Sequence, residues 1–143
     1  MRRKAFRELQ VEVDAKAGFG LMRQLRPHLE DEISFTQQIE RQSRYGYRLL
    51  GLWQDEQLAG LIGFRESENL LYGRYIFVDD LVVDVSLQHS GLGADLLNKV
   101  RSEAKQLGCR HLVLDTGLHK PLAQRFYYRE GLLAKGVHFV QQL

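Results

Sequence analysis

Spaced glycines follow an apolar strand pattern and precede a helical pattern, an order that can build a phosphate site. The strand pattern runs from Tyr75 to Val83, and Gln88-x-x-Gly91-x-Gly93 comes after it. Glycines let backbone N–H groups converge without a Cβ in the way, and a helix start adds unpaired donors and a positive dipole end. Because the spacing falls at a strand-to-helix junction, we expect a diphosphate to bind at residues 88–94.

Two adjacent carboxylates, Asp79 and Asp80, interrupt the same apolar strand. On a regular pleat, neighbouring side chains point to opposite faces, so only one of the two can easily face a site. A carboxylate there can accept a proton during catalysis. The alternative is structural, with both aspartates paired with arginine or capping a loop. The pattern leaves both interpretations open.

Metal and thiol chemistry is not indicated by the remaining reactive residues. His89, His111, His119 and His138 are scattered without metal-ligand spacing. Cys109 is the single cysteine, which excludes an internal disulfide, and no base-nucleophile pattern surrounds it. We therefore expect no bound metal and no covalent cysteine intermediate.

Length and composition predict one domain spanning residues 1–143, since 44% of the residues are hydrophobic. The net charge of +2, from 20 basic and 18 acidic residues, gives no case for nucleic acid. The sequence contains neither an apolar run of about 18 residues nor a signal-peptide pattern. A cytoplasmic protein without a membrane partner is expected.

The hydrophobic pattern predicts the elements that position these residues. They are a strand at 6–13, two helices within 21–39, a hairpin of strands at 47–53 and 58–65, the strand at 75–83, a helix at 92–107, a strand at 111–116, a helix between 121 and 131, and a closing strand at 137–143. The fold class is α/β, a mixed central sheet flanked by helices in the order β-α-α-β-β-β-α-β-α-β.

These residues resemble the GCN5-related N-acetyltransferase superfamily, whose single mixed α/β domain transfers acetyl from acetyl-coenzyme A (acetyl-CoA) to an amine. The spaced glycines are similar to its pyrophosphate loop, and Ala123-Gln124-Arg125-Phe126-Tyr127 with Gly131-Leu132 resembles its last helix. The chain resembles small bacterial members of the superfamily more closely still. The matching segments are Gly46-Tyr47-Arg48, Asp79-Asp80-Leu81, Leu114-Asp115-Thr116-Gly117 and His138-Phe139. The resemblance covers nearly the whole chain.

The resemblance implies a binding site for acetyl-CoA. The backbone of Leu81, Val82 and Val83 would pair with the pantetheine arm as another strand would. The pyrophosphate would lie on the loop formed by Gln88, His89, Ser90, Gly91, Leu92, Gly93 and Ala94, which is less cationic than is usual in the family. Lys120 replaces an asparagine that many members carry, and is expected to reach the cofactor phosphates instead.

The acceptor amine must lose a proton before it attacks, since a lysine-like amine has a pKa of about 10.4. The resemblance places the general base at Asp79, four residues before Val83. Asp80 and a water molecule remain alternatives.

Tyr127 is the general acid that the resemblance implies, because a phenol with a pKa of about 10 can protonate the departing thiolate. By helical spacing alone, Phe126 and Tyr127 are more typical of a packed core. Tyr127 and Tyr128 face different sides of a helix, and Tyr128 is left without a role.

The sequence thus predicts an acetyl-CoA-dependent N-acetyltransferase that acts on a small-molecule or peptidic amine by direct attack in a ternary complex. The alternative from another class is a non-catalytic member that binds and senses acyl-CoA. A generic mononucleotide-binding domain fits less well, because the loop lacks the Lys-Ser/Thr of a P-loop. Both a monomer and a homodimer are compatible with the sequence.

Overall fold

The computed structural model describes residues 3–143. Contacts between Cα atoms divide this chain into two compact units, one that ends at Val113 and one that spans Leu114–Leu143. No helix within residues 3–143 is long and apolar enough to cross a membrane.

A five-stranded mixed sheet forms the centre of the fold, with strand order β1-β2-β3-β4-β5. The strands are β1 (Lys4–Glu8), β2 (Tyr47–Gln54), β3 (Gln57–Asn69), β4 (Gly73–Val83) and β5 (His111–Leu114). Neighbouring strands from β1 to β4 pair antiparallel. The polar turn Asp55-Glu56 joins β2 to β3, as the hairpin prediction required, and both of its residues adopt positive φ.

The α-helices of residues 3–143 are α1 (Val11–Leu25), α2 (Glu32–Ser43), α3 (Leu92–Gln106) and α4 (Pro121–Arg129). On one sheet face, α1 and α2 bury Leu21, Met22 and Phe35 in a core cluster with residues of β2, β3 and β4. Leu96, Leu97 and Val100 of α3 are fully buried, as the helical spacing predicted. The α/β fold class is therefore confirmed.

The first strand is shorter than expected, because residues 11–13 begin α1 instead of extending β1. Leu9, Val11 and Val13 satisfy a strand alternation, but Val13 is 76% exposed in the helix, so the alternation does not mark a buried face. Asp14 favours the helix, since its Oδ2 accepts a hydrogen bond from the Gln10 backbone N–H at 2.9 Å. A carboxylate that binds amides at a helix start stabilises that start.

The predicted closing strand at 137–143 is not formed, and residues 132–143 contain neither helix nor strand. A strand needs a neighbour to pair its backbone groups, and a local sequence pattern does not supply one. Val137 and Phe139, within the predicted strand, are largely exposed. The observed order therefore ends at α4.

Candidate functional site

The turn between β4 and α3 is shaped by its own hydrogen bonds. Asp84 Oδ1 accepts from Ser86 N at 3.0 Å and from Ser86 Oγ at 2.9 Å, at the start of a short 3₁₀ turn, Val85–Leu87. Ser90 Oγ donates to the Leu87 carbonyl. His89 has φ +67° and Gly91 has φ +83°, so the chain reverses sharply before α3 begins.

The start of α3 presents backbone donors and no capping side chain. Gly91 is the N-cap residue, and its carbonyl accepts the helix bond from Asp95 N at 3.1 Å. The N–H groups of Leu92, Gly93 and Ala94 therefore belong to the first turn, where a helix has no intrahelical acceptors for them. A Cβ built on Gly91 would meet no atom within 4 Å, so the space beside Gly91 is open. This arrangement can bind an anion.

Within residues 3–113, the last residues of β4 have one edge without a pairing strand, next to this turn. Leu81, Val82 and Val83 pair with β3 on their other side. The strand β5 is four residues long, and Arg110 N, just before it, lies 3.4 Å from the carbonyl of Arg74 near the start of β4. Because four strand residues span about 13 Å, β5 does not extend to the end of β4. That edge can pair with an extended ligand.

A β-bulge in β4 changes the directions of the two carboxylates. Gly63 pairs with Asp80 and Phe64 pairs with Val78, so Asp79 is an additional residue in β4. Residues paired across two strands share a sheet face, and neighbours along a strand alternate between faces. Asp79 therefore points to the face away from Val78. Asp80 shares the face of Gly63, which is also the face away from Val78. The prediction that the two carboxylates face opposite sides is wrong, because the bulge removes one step of the alternation.

Each carboxylate is paired with a different arginine. Arg65 donates from Nε and Nη2 to the two oxygens of Asp79, at 2.9 and 2.8 Å. Arg26, which follows α1, donates from Nε to Asp80 Oδ1 at 3.1 Å and from Nη2 to the Asp79 carbonyl at 2.8 Å. The structural alternative considered for these aspartates is thus present in the fold. The assignment of Asp79 as the base stays a prediction.

Tyr47 completes the Asp80 site, and its hydroxyl donates to Asp80 Oδ2 at 2.7 Å. Burial raises the pKa of the Tyr47 phenol far above its ordinary value, and the negative charge of Asp80 adds to the effect. The phenol is therefore a neutral donor at physiological pH. Sequence reasoning noted Tyr47 within a family motif but gave neither Tyr47 nor Arg26 a role, since both meet Asp80 only through tertiary contacts.

A cleft of about 240 Å³ lies between α1 and α2 and reaches this group. We call it the α1–α2 cleft, and it is lined by Met22, Arg26, His28, Leu29, Phe35, Gln38, Ile39, Gln42, Tyr47 and Asp80. Asp80 belongs to its lining, whereas Asp79 does not. A larger cavity, of about 520 Å³, is lined instead by residues such as Phe64 and Ile76, which face the other side of the sheet.

The second unit carries the predicted residues of the last helix. Lys120 is the exposed N-cap of α4, and Pro121 occupies the first helical position. Tyr127 is half-buried with its ring centroid 5.3 Å from that of Phe126, while Tyr128 is 56% exposed. The two tyrosines therefore differ in environment as the helical spacing predicted. The catalytic role of Tyr127 and the phosphate contact of Lys120 stay predictions.

Cys109 is buried, and burial raises the pKa of its thiol. A thiol with a raised pKa is a poor nucleophile at neutral pH. Within residues 3–143, no group of three or more His, Cys, Asp or Glu side chains is placed to hold a metal ion.

A turn after β4 that ends in helix-start N–H groups, a strand edge beside it and a cleft that ends on a carboxylate make up the candidate site of this α/β protein. The family model described as "Acetyltransferase (GNAT) family" matches residues 15–132, and the chain belongs to that family.

One relative and two solved structures are similar to this chain. The uncharacterized N-acetyltransferase YhdJ of Bacillus subtilis is 26% identical over 110 residues, which cover 76% of this chain and 77% of that protein. Aminoglycoside N-acetyltransferase AAC(6')-Iy, solved with CoA, has a similar fold, with a TM-score of 0.85 at 17% identity over 99% of this chain and 96% of that one. Glucosamine-6-phosphate N-acetyltransferase from Arabidopsis thaliana gives 0.77 at 20% identity, covering 98% of both chains.

Proposed function

We propose that this protein is a cytoplasmic N-acetyltransferase that moves acetyl from acetyl-CoA to a primary amine by direct attack in a ternary complex. The observation that carries the proposal is the open turn from Gln88 to Ala94, which ends in free helix N–H groups beside the free edge of β4. Similar proteins named as N-acetyltransferases support the same reaction class.

The first part of the proposal is the binding of acetyl-CoA. The backbone donors of Gly91, Leu92, Gly93 and Ala94 suit its diphosphate, since they lie at the positive end of α3. The side chain of Leu92 is buried and so contributes only its backbone there. Gln88, His89 and Ser90 are exposed. Lys120 is included in the proposal as the cation that the family resemblance assigns to the cofactor phosphates. The pantetheine arm lies along Leu81–Val83.

The second part is the transfer itself, in which the amine nitrogen bonds to the acetyl carbon and the carbon–sulfur bond breaks. The amine proton passes to Asp79, and Tyr127 returns a proton to the thiolate. Asp79 already holds two hydrogen bonds from Arg65, but a carboxylate has about four acceptor sites, so a water or the amine can still reach it. Asp80 is the alternative base, and its position in the α1–α2 cleft favours it. The raised pKa of Cys109 disfavours an acetyl-cysteine intermediate.

The alternative function is a domain that binds and senses acyl-CoA without turnover. Its support is the arginine pairing of both aspartates, which a purely structural role also explains. In either case we propose one domain over residues 1–143, because the family match crosses from one unit into the other. Turnover of acetyl-CoA with any amine decides between the two functions.

Gly91→Glu tests the cofactor site. The substitution puts bulk and like charge where the diphosphate binds, so we expect titration calorimetry to show at least about a hundredfold weaker acetyl-CoA binding. Gly73→Glu is the matched control, because Gly73 also has positive φ and open space around an added Cβ, but lies at the far end of β4. Unchanged affinity in Gly91→Glu, or equal losses in both variants, would contradict the proposed site.

A further inference from the structure

The lining of the α1–α2 cleft indicates which class of amine accepts the acetyl group, and this conclusion rests on the proposed acetyl transfer. We propose that the acceptor is a compact primary amine with one positive charge and an apolar body, and that its ammonium group binds Asp80, next to the proposed base Asp79 on the same sheet face. Amino sugars that carry phosphate and large polyamines such as aminoglycosides fall outside this class. The proposal follows from the size, floor and walls of the cleft.

The size of the cleft limits the acceptor. Its volume of about 240 Å³ lies below the range of roughly 300–1,000 Å³ typical of pockets for drug-sized ligands. A small amine with a single ring fits within this space, whereas most of an aminoglycoside of several rings would lie outside it.

The floor of the cleft is suited to an ammonium group. Asp80 Oδ1 accepts from Nε of Arg26 at 3.1 Å and lies 3.0 Å from Nη2, while Oδ2 accepts from Tyr47 at 2.7 Å. Since each carboxylate oxygen has two acceptor sites, one site on Oδ2 is left for a further donor. The side chain of Asp80 is 15% exposed, so a ligand that reaches it loses most of its water. An ammonium group can therefore bind Oδ2 as a second cationic partner of Asp80, beside Arg26.

The walls of the cleft are suited to an apolar body. Met22, Leu29, Phe35 and Ile39 contribute apolar side chains, and Phe35 packs against Phe19 at 5.7 Å between ring centroids. Apolar contact of this kind binds hydrocarbon better than a hydroxylated sugar, because sugar hydroxyls would lose hydrogen bonds to water.

The cleft lacks a group suited to a phosphate. Its basic lining residues are Arg26 and His28, and the guanidinium of Arg26 is engaged by Asp80 and by the Asp79 carbonyl. The mouth carries two neutral amides, with Gln38 Nε2 donating to Gln42 Oε1 at 2.9 Å. A phosphate deep in the cleft would therefore have to compete with Asp80 for Arg26, and it would meet the Asp80 carboxylate at the same short range.

An acceptor panel tests this class on the full chain. The probes are phenethylamine, glucosamine 6-phosphate and an aminoglycoside, each assayed for CoA thiol release from acetyl-CoA. We expect the specificity constant, kcat/KM, to be at least about tenfold higher with phenethylamine than with either sugar. The phosphate charge disfavours glucosamine 6-phosphate, and size disfavours the aminoglycoside. Preference for either sugar overturns the inferred class and leaves acetyl transfer intact. No thiol release with any amine, while acetyl-CoA binds, overturns the proposed function as well.

A charge substitution at the mouth tests where the acceptor binds. Gln38→Lys adds a cation to the cleft, whereas Gln37→Lys adds the same cation one residue earlier on α2, outside the lining. If the added lysine ammonium lies about 8 Å from the ammonium group of phenethylamine, we expect Gln38→Lys to raise the phenethylamine KM roughly three- to thirtyfold with kcat little changed. Gln37→Lys should match the wild type. Equal KM values in the two variants would place the acceptor elsewhere.

Discussion

Asp79 and Asp80 are neighbours in sequence, lie on one sheet face and yet have different partners. Both oxygens of Asp79 are held by one guanidinium, while Asp80 is divided between Arg26 and a phenol. Only Asp80 of the two lines the α1–α2 cleft. The two carboxylates are therefore separable by substitution, since each can be neutralised while the other keeps its contacts.

Neutralising each aspartate in turn should move different kinetic constants. Asp79→Asn keeps the shape of the side chain and removes its basicity, so we expect kcat to fall by about 10²–10⁴-fold with little change in acetyl-CoA affinity. The deficit should shrink as pH rises, because more of the acceptor is already deprotonated. Asp80→Asn should chiefly raise the acceptor KM. Steady-state kinetics between neutral and alkaline pH measure both effects.

The reverse result would reassign the base. If Asp79→Asn is fully active near neutral pH and Asp80→Asn loses kcat, then Asp80 is the base. If both variants keep their kcat, a water or the backbone takes the proton.

Tyr127→Phe removes one hydroxyl and separates catalysis from packing. A general acid contributes about 10²–10⁴-fold in rate, whereas a hydroxyl in the core contributes only about 1 kcal/mol of stability. We expect most turnover to be lost while acetyl-CoA binding and the melting temperature change little. Tyr128→Phe is the control, because the Tyr128 side chain is exposed. Wild-type turnover in Tyr127→Phe with lost activity in Tyr128→Phe would show that Tyr128 holds the catalytic position.

At the scale of elements, the bulge in β4 marks how far the sequence could predict the site. The apolar run of β4, the glycine turn and α3 are local patterns, and the structure confirms all three. The bulge depends on how Gly63 and Phe64 of β3 pair across the sheet, and no pattern within β4 contains that pairing. The closing strand failed for the same reason, because strand pairing is not a local property.

Gly63 has a specific task at this junction of strands. A Cβ built on it would lie 1.9 Å from the Tyr47 hydroxyl oxygen and 2.5 Å from Tyr47 Cζ. The absence of a side chain at Gly63 therefore makes room for the Tyr47 ring, whose hydroxyl donates to Asp80. A glycine in a strand interior is otherwise unfavourable, so close approach explains its presence.

Gly63→Ala should displace the Tyr47 ring from Asp80. Overpacking in a core typically costs about 1–3 kcal/mol, and we expect the melting temperature to fall accordingly while the acceptor KM rises. Gly20→Ala in α1 is the control, because no atom lies within 4 Å of an added Cβ there. That variant should gain about 0.5–1 kcal/mol from helix propensity. Thermal unfolding of both proteins, with acceptor kinetics, provides the comparison. A Gly63→Ala protein with wild-type stability and KM would show that Tyr47 moves freely.

At the scale of the whole molecule, several aspartates link stability to pH. The pKa values of Asp14, Asp31 and Asp84 all lie below the ordinary value of 3.8. For Asp14 the main cause is hydrogen bonding to Arg7, at 2.6 and 3.0 Å, and the Gln10 amide adds to it. Arg7 also stacks over the ring of Trp53 at 3.7 Å, so this group ties β1 to α1 and β2.

Acid should therefore weaken the fold through Asp14. A carboxyl group whose pKa is lowered by folding stabilises the native state above its unfolded pKa of 3.8, and the contribution is lost as pH falls through the lower folded pKa. We expect the melting temperature of the wild type to drop steeply below about pH 4. Asp14→Asn should melt about 5 °C or more lower at neutral pH and show a shallower drop in acid.

Glu12→Gln on the same helix is the control for this last prediction. Its carboxylate is exposed in the first turn of α1, so removing the charge tests the helix dipole without touching Arg7. Differential scanning calorimetry from acid to neutral pH should give Glu12→Gln a curve parallel to the wild type. If the curve of melting temperature against pH for Asp14→Asn is also parallel to that of the wild type, the Arg7–Asp14 pair does not cause the acid sensitivity. Asp31 and Asp84, whose pKa values are also lowered, would then have to account for the acid sensitivity. Each accepts hydrogen bonds from the backbone N–H and the hydroxyl of a nearby serine.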